Sequence, residues 1–250
     1  MKCWRIFKHA WRLSVDNRST ALKIVAPFFA VTMLLQVVMT IYVEMEIANA
    51  TILKVMLLAT ALFGFLASLW IAVAWHRFIL IDEYPKTIPA FHGARIFSYF
   101  ISGLLIGLMA FLVIIPLFVA TGILQNANFF PWFSFPIWCA AVVGLTIITM
   151  RLMTLLPAAA LGKPLTVRDT WQVTKGQNGT FFGLAVLLFL FALPFRIVSL
   201  LLNESPLLVG TIWETFSNIV LLIVTLSVLT TLYGHYVEKR PLVGEDQAVP

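Results

Sequence analysis

The sequence predicts an all-α integral membrane protein with six transmembrane helices in three hairpins and short cytoplasmic interfacial helices. Hydrophobic residues make up 61% of the 250 residues and charged residues only 11%, whereas a soluble domain carries about 25% charged residues. Mean hydropathy is +0.97. Six apolar stretches reach the roughly 20 residues that a helix needs to cross a bilayer. These predicted spans lie at about 22–43, 52–75, 96–124, 137–161, 180–202 and 211–236.

The first segment, residues 1–21, precedes these spans and is basic and aromatic. Its cations are spread along the whole segment, which is not the pattern of a signal peptide. Trp4, Phe7 and Trp11 recur at spacings of three and four, as on one face of a helix. The stripe favours an amphipathic helix lying on an anionic leaflet. The same stripe could instead pack on the protein's own cytoplasmic loops.

The first hairpin begins with Pro27 near the start of a span, where a missing backbone amide costs little. Trp70 and Trp75 lie towards the end of the second span, as tryptophans do at a membrane interface. The polar loop 76–95 follows, and its prolines prevent a continuous helix. This loop is the longest polar interruption between spans.

The second hairpin contains Pro116, which predicts a kink in the third span. The loop at 125–136 is uncharged and aromatic, as expected at the outer interface. The fourth span, 137–161, contains Arg151. The basic loop 162–179 follows it.

Within this basic loop, Thr166 and Asp169 have the spacing of a capping box, and Gly176 is a natural helix stop. We predict a short amphipathic helix over 167–175, with Trp171 on its membrane side. The last hairpin follows, and the tail at 237–250 is predicted to be cytoplasmic, polar and disordered.

The orientation follows from the cations, because lysine and arginine gather on the cytoplasmic side of a membrane. Fourteen of the seventeen Lys and Arg residues fall in the N-terminal segment, loops 76–95 and 162–179, and the tail. Both termini are therefore predicted to be cytoplasmic. A basic, aromatic segment introduces each hairpin, and Trp11 and Trp171 are 160 residues apart, with Phe91 about halfway between. This spacing could record a duplication, or only the need for an interfacial segment before each hairpin.

Three stretches, AWHRFILIDE, RLMTLLPAAALGKPLTVRDTWQVTKGQ and LYGHYVEKRPL, resemble a group of bacterial inner-membrane proteins. The group comprises the YciC-like family and the membrane domain found beside glycerophosphodiester phosphodiesterases. The resemblance covers most of the chain and implies a six-helix protein of the bacterial inner membrane. It implies no settled activity. No catalytic residue is carried over from it.

Charges inside spans are the best functional pointers, because burying a charge in a bilayer is costly. Arg196 and Glu214 fall at similar depth in adjacent spans, so we expect an ion pair, either structural or part of a substrate path. Arg151 lies about ten residues from the cytoplasmic end of its span. It could snorkel to the interface, pair within the bundle, or bind an anion or a lipid headgroup.

The loop 76–95 offers a second group of candidates: His76, Arg77, Asp82, Glu83 and His92. They could form an acid–base or metal cluster, although their spacing matches no metal motif. Alternatively, His76 and Arg77 form an interfacial pair touching headgroups. The sixth span has a stripe of Ser, Thr and Asn residues from 217 to 231, which could join helices or line a cavity.

These observations predict a non-enzymatic accessory or envelope-assembly protein without catalytic residues, metal or cofactor. Its expected partners are anionic lipid headgroups at the cytoplasmic face and a membrane protein. Nucleic acid is not expected, because the net charge of +6 is what cytoplasmic loops require. The alternatives are a small transporter or lipid-handling protein that uses Arg151 and Arg196, and thirdly a membrane enzyme with a His/Asp/Glu site on the cytoplasmic face.

Overall fold

The computed structural model describes residues 1–45, 49–126, 131–202 and 207–242. Over this part of the chain the secondary structure is helical, without a β-strand, which confirms the predicted all-α class. The predicted outer loop at 125–136 and the turn at 203–206 lie partly or wholly outside the described residues. The helices are α1 (Lys2–Asp16), α2 (Arg18–Glu44), α3 (Ala50–Ile81), α4 (Gly93–Asn126), α5 (Pro131–Leu152), α6 (Leu155–Leu161), α7 (Val167–Val173), α8 (Asn178–Leu201) and α9 (Leu207–Tyr236).

Six helical segments within the described chain are long and apolar enough to cross a membrane, which confirms the number of predicted spans. Along the chain, α2 packs against α3, α4 against α5, and α8 against α9. The segments are Arg18–Glu44, Ala50–Ile81, Gly93–Gly122, Pro136–Leu161, Asn178–Leu201 and Val209–Tyr236.

The buried residues gather at one end of the bundle, which we call the packed end. They lie in 21–28 of α2, 67–80 of α3, 99–106 of α4, 152–160 of α5 and α6, 181–184 of α8 and 223–236 of α9. The opposite, open end exposes long runs of leucine, isoleucine, valine and phenylalanine. With 32 residues, α3 is about 48 Å long, whereas the hydrocarbon core is about 30 Å thick. A spanning α3 therefore projects beyond the hydrocarbon.

The fourth predicted span differs from expectation because it is not one continuous helix. α5 ends at Leu152, and α6 begins at Leu155. Pro157 has no N–H to donate to the carbonyl of Met153, and its ring crowds that carbonyl. The chain turns instead, and the N–H of Leu156 donates to the Met153 carbonyl oxygen at 3.1 Å. The buried α6 then packs against α3, α4 and α9.

The helix α1 is amphipathic as predicted, but its buried face is not the predicted stripe. Cys3, Ile6, Ala10 and Ser14 are buried, and α1 packs against α8 and α9. Small side chains on this face let the helices approach closely. The aromatic stripe lies beside it, and Trp11 contacts Phe191 of α8 with ring centroids 5.4 Å apart. The stripe thus touches a spanning helix, and not the cytoplasmic loops.

The first residues of the predicted disordered tail fold back onto the packed end. The Arg240 guanidinium donates a 2.8 Å hydrogen bond to the carbonyl oxygen of Leu80 in α3. Leu242 is buried in the core. The prediction of disorder is therefore wrong for residues 237–242. Residues 243–250 lie outside the described chain.

Candidate functional site

Arg151 is buried at the junction of α5, α7 and α8, with only 4% of its surface exposed. Its Nε donates to Thr174 Oγ1 at 2.8 Å, and its Nη2 donates to the carbonyl oxygen of Trp171 at 2.7 Å. Its Nη1 donates to Asn178 Oδ1 at 3.2 Å. The guanidinium also lies 3.6 Å from the centroid of the Trp171 ring, within the range of a cation–π interaction.

These contacts decide between the alternatives open for Arg151. The side chain does not snorkel to the interface, because its donors are used inside the protein. It pairs within the bundle, where it ties the end of α5 to α7 and to the start of α8. Trp171 itself is 43% exposed, so its ring covers the guanidinium on one side and faces outward on the other.

The short helix α7 is fixed by the predicted capping box. Thr166 Oγ1 accepts a hydrogen bond from the N–H of Asp169, and the Asp169 carboxylate accepts one from the N–H of Thr166. Hydrogen bonds from Thr166 lower the pKa of the Asp169 carboxyl below its ordinary value. Gly176 has a φ of +76°, the left-handed conformation that glycine adopts readily. Helix α7 itself ends earlier than predicted, at Val173.

His76 is fully buried and connects three spanning helices. Its Nδ1 lies 2.7 Å from Thr230 Oγ1 of α9, and its Nε2 lies 3.5 Å from the Tyr99 hydroxyl of α4. The Thr230 hydroxyl donates to the Leu226 carbonyl oxygen at 2.7 Å. Thr230 therefore accepts from Nδ1–H, and Nε2 is left to accept from Tyr99. His76 does not form the predicted interfacial pair with Arg77, because it points into the core.

Arg77, Glu83 and His92 form a network that closes the polar loop. Arg77 Nε donates to Glu83 Oε2 at 2.8 Å, and His92 Nε2 lies 2.5 Å from Glu83 Oε1. Arg77 Nη1 also donates to the carbonyl oxygen of Ala160 in α6 at 3.3 Å. Burial raises the pKa of Glu83, but hydrogen bonds and charge from Arg77 and His92 together lower it below its ordinary value.

This network contains only part of the predicted acid–base or metal cluster. His76 faces away from it, and Asp82 caps α3 in the left-handed conformation with a φ of 54°. Among the residues that the structure describes, no three His, Cys, Asp or Glu side chains converge as metal ligands would. The geometry is that of a loop closure.

Arg196 and Glu214 form the predicted ion pair between α8 and α9. Arg196 Nη1 lies 3.6 Å from Glu214 Oε2, and the two side chains are 57% and 42% exposed. The pair lies near the open end, on the outside of the bundle. It is not joined to Arg151, which lies at the packed end.

The polar stripe of α9 divides into two parts. Near the packed end, Ser227 accepts a 2.8 Å hydrogen bond from Ser14 of α1, and Thr230 contacts His76. Nearer the open end, Asn218 lines a cavity between α2, α3 and α9. Both sequence interpretations of the stripe therefore apply, each to a different part of the helix.

Several residues of these groups were not expected from the sequence. Tyr99, Thr174 and Asn178 belong to the networks, although nothing in their local sequence indicates it. Gln36 is different, because an amide inside an apolar span is itself a signal of hydrogen bonding between helices. Gln36 Oε1 accepts from Thr215 Oγ1 of α9 at 2.9 Å.

We compared the chain with models of known protein families, with curated proteins and with solved structures, and none of these comparisons found a match.

Proposed function

We propose that this chain is a non-enzymatic accessory or assembly protein of the bacterial inner membrane. In this proposal both termini are cytoplasmic, the packed end lies on the cytoplasmic side, and the spans form three hairpins. The resemblance to the YciC-like group and the distribution of cations support this placement. The packing of α2 on α3, α4 on α5 and α8 on α9 supports the hairpins.

One observation carries the proposal: the candidate polar residues of the packed end contact each other. Arg77, His76 and Arg151 each join helices through hydrogen bonds within the protein. Residues with these contacts stabilise a fold, whereas a catalytic group or a transport path needs side chains that reach substrate.

The surface of the packed end is the second support for the proposal. It combines exposed aromatic residues with cations from the N-terminal segment and from loops 76–95 and 162–179. Such a surface binds anionic headgroups or a partner protein at the membrane interface. The exposed aromatic residues are Trp4, Trp11, Tyr84, Phe91 and Trp171.

The geometry favours this proposal over transport. A transport path for an anion needs a cavity that reaches the buried arginine. Four cavities lie between described residues, and Arg151 and Arg196 line none of these four. A membrane enzyme is third, because Glu83 is held by Arg77 and His92.

The test is extraction of the protein from the bacterial membrane into lipid discs, followed by mass spectrometry of the proteins and lipids that co-purify. We expect a stoichiometric protein partner, together with anionic lipid. Changing both Trp4 and Trp11 to Ala should reduce both. The matched control is Phe111→Ala, which removes an exposed aromatic residue from the outer half of α4. Recovery of the protein with neither a partner nor enriched anionic lipid would contradict the proposal.

A further inference from the structure

A cavity of about 270 Å³ lies between α2, α3 and α9. We call it the midspan notch. Its polar lining consists of Thr32 and Gln36 from α2, Ser68 from α3, and Thr215 and Asn218 from α9. Phe28 and Phe29 line it on the side of the packed end, and Gly64 provides space in α3.

The notch lies deep in the bilayer. Asn218 is nine residues from Val209, where the sixth span begins, which corresponds to about 14 Å of helix. Gln36 is eight residues from Glu44, where α2 ends, or about 12 Å. Because the hydrocarbon core is about 30 Å thick, both amides lie near its centre. Phosphate headgroups do not reach this depth.

The hydroxyl groups of the notch already have partners. Thr32 donates to the Phe28 carbonyl oxygen at 2.8 Å, and Ser68 donates to that of Phe65 at 2.7 Å. Thr215 lies within hydrogen-bond distance of both Gln36 Oε1 and the Thr211 carbonyl oxygen. The notch is thus closed to further hydroxyl donors.

The amide groups of the notch do not have partners. Within the described part of the chain, the amide nitrogen of Gln36 and the exposed side chain of Asn218 make no hydrogen bond. A polar group without a partner in hydrocarbon costs several kcal/mol. A molecule that offers an oxygen acceptor at this depth would remove that cost.

The lining also defines the chemistry of the occupant. No charged side chain lines the notch, so the occupant is uncharged. The volume lies near the lower end of the roughly 300–1,000 Å³ found for small-molecule sites. A helix is about 10–12 Å across with its side chains and is too wide to enter. We propose that the midspan notch binds an uncharged lipid, whose carbonyl or hydroxyl oxygen accepts hydrogen bonds from Gln36 and Asn218. This site is independent of the accessory function.

The test is a binding titration on the full chain in discs of phosphatidylcholine. One arm uses decylubiquinone, which carries ring carbonyls, and the other uses dioctanoylglycerol, which carries a hydroxyl group and ester carbonyls. Trp70 reports on the notch, because its ring lies 5.1 Å from that of Phe28. We expect saturable quenching or a spectral shift with one of the probes, which identifies the source of the oxygen. Dioleoylphosphatidylglycerol should not compete.

Two kinds of variant test the assignment of residues. Asn218→Leu with Gln36→Leu should weaken binding of the probe at least tenfold. Gly64→Leu should block binding while leaving both amides in place, because a Cβ at Gly64 meets no atom within 4 Å. Thr225→Val is the matched control, since it removes a hydroxyl from α9 outside the notch and should leave affinity unchanged.

Three results would overturn the proposal. The first is the absence of saturable binding by both uncharged probes. The second is equal affinity in the wild-type chain and in Gly64→Leu. The third is a change in particle mass in Asn218→Leu that shows the loss of a second copy, because the notch would then be a contact between chains.

Discussion

At the scale of the residue, Arg151 shows how a charge within an apolar segment is accommodated. A guanidinium has five donors in a planar fork, and here its three nitrogens donate to three different acceptors. The acceptors come from the basic loop and the start of α8, 20 to 27 residues further along the chain. The sequence located the charge, but its partners depend on how α7 folds back against α5.

This geometry predicts a large difference between two conservative substitutions. Arg151→Lys keeps the charge but loses the planar fork, so we expect it to lower the free energy of unfolding by about 2 kcal/mol or more. Arg196→Lys, in an exposed ion pair, should cost less than about 1 kcal/mol. Denaturant unfolding in detergent micelles, followed by tryptophan fluorescence, measures both. Equal losses in the two variants would show that the contacts of Arg151 contribute no special stability.

At the scale of the element, α6 shows why small residues occupy the centre of the packed end. Ala158, Ala159 and Ala160 are almost completely buried, and their helix lies against α3, α4 and α9. Side chains of one carbon let neighbouring helices approach closely. The sequence shows the alanine run, but the break before it also depends on the turn around Thr154, whose hydroxyl donates to the Arg151 carbonyl oxygen at 3.0 Å.

The same substitution at two alanines tests this packing. Ala159→Leu should lower the free energy of unfolding by roughly 1–3 kcal/mol, because the added carbons have no space among the surrounding helices. Ala140→Leu in α5 should have little effect, since Ala140 is exposed near the open end. The midpoint of thermal unfolding in lipid discs distinguishes the two. Similar midpoints would mean that α6 is not closely packed.

At the scale of the whole molecule, the two ends of the bundle differ in composition as well as packing. The cations of α1 and of the polar loops lie at the packed end, and Lys54 lies near the open end. If the packed end is cytoplasmic, single cysteines at the two ends should react from opposite sides of the membrane.

Labelling of intact cells with a membrane-impermeant maleimide tests this orientation. In a background of Cys3→Ala and Cys139→Ser, we expect Lys54→Cys to react in intact cells. Lys8→Cys should react only after the cells are permeabilised. Both lysines are exposed, so burial does not account for a difference. The reverse pattern would invert the proposed orientation.

The sequence alone determined the class of protein, the number of spans and the capping of α7. These properties are local, because a run of about 20 apolar residues predicts a span and a capping box needs only four residues. The ion pair between Arg196 and Glu214 was also predictable, because a short turn brings both residues to similar depth.

Only the tertiary structure decided which face of α1 is buried, what His76 and Arg151 contact, and where the midspan notch lies. The physical reason is that every face of a spanning helix is apolar, so hydrophobicity no longer distinguishes the buried side from the lipid-facing side. Close packing and hydrogen bonds between distant segments make that choice. The pairing of Gln36 with Thr215, 179 residues further along the chain, appears only when the helices are brought together.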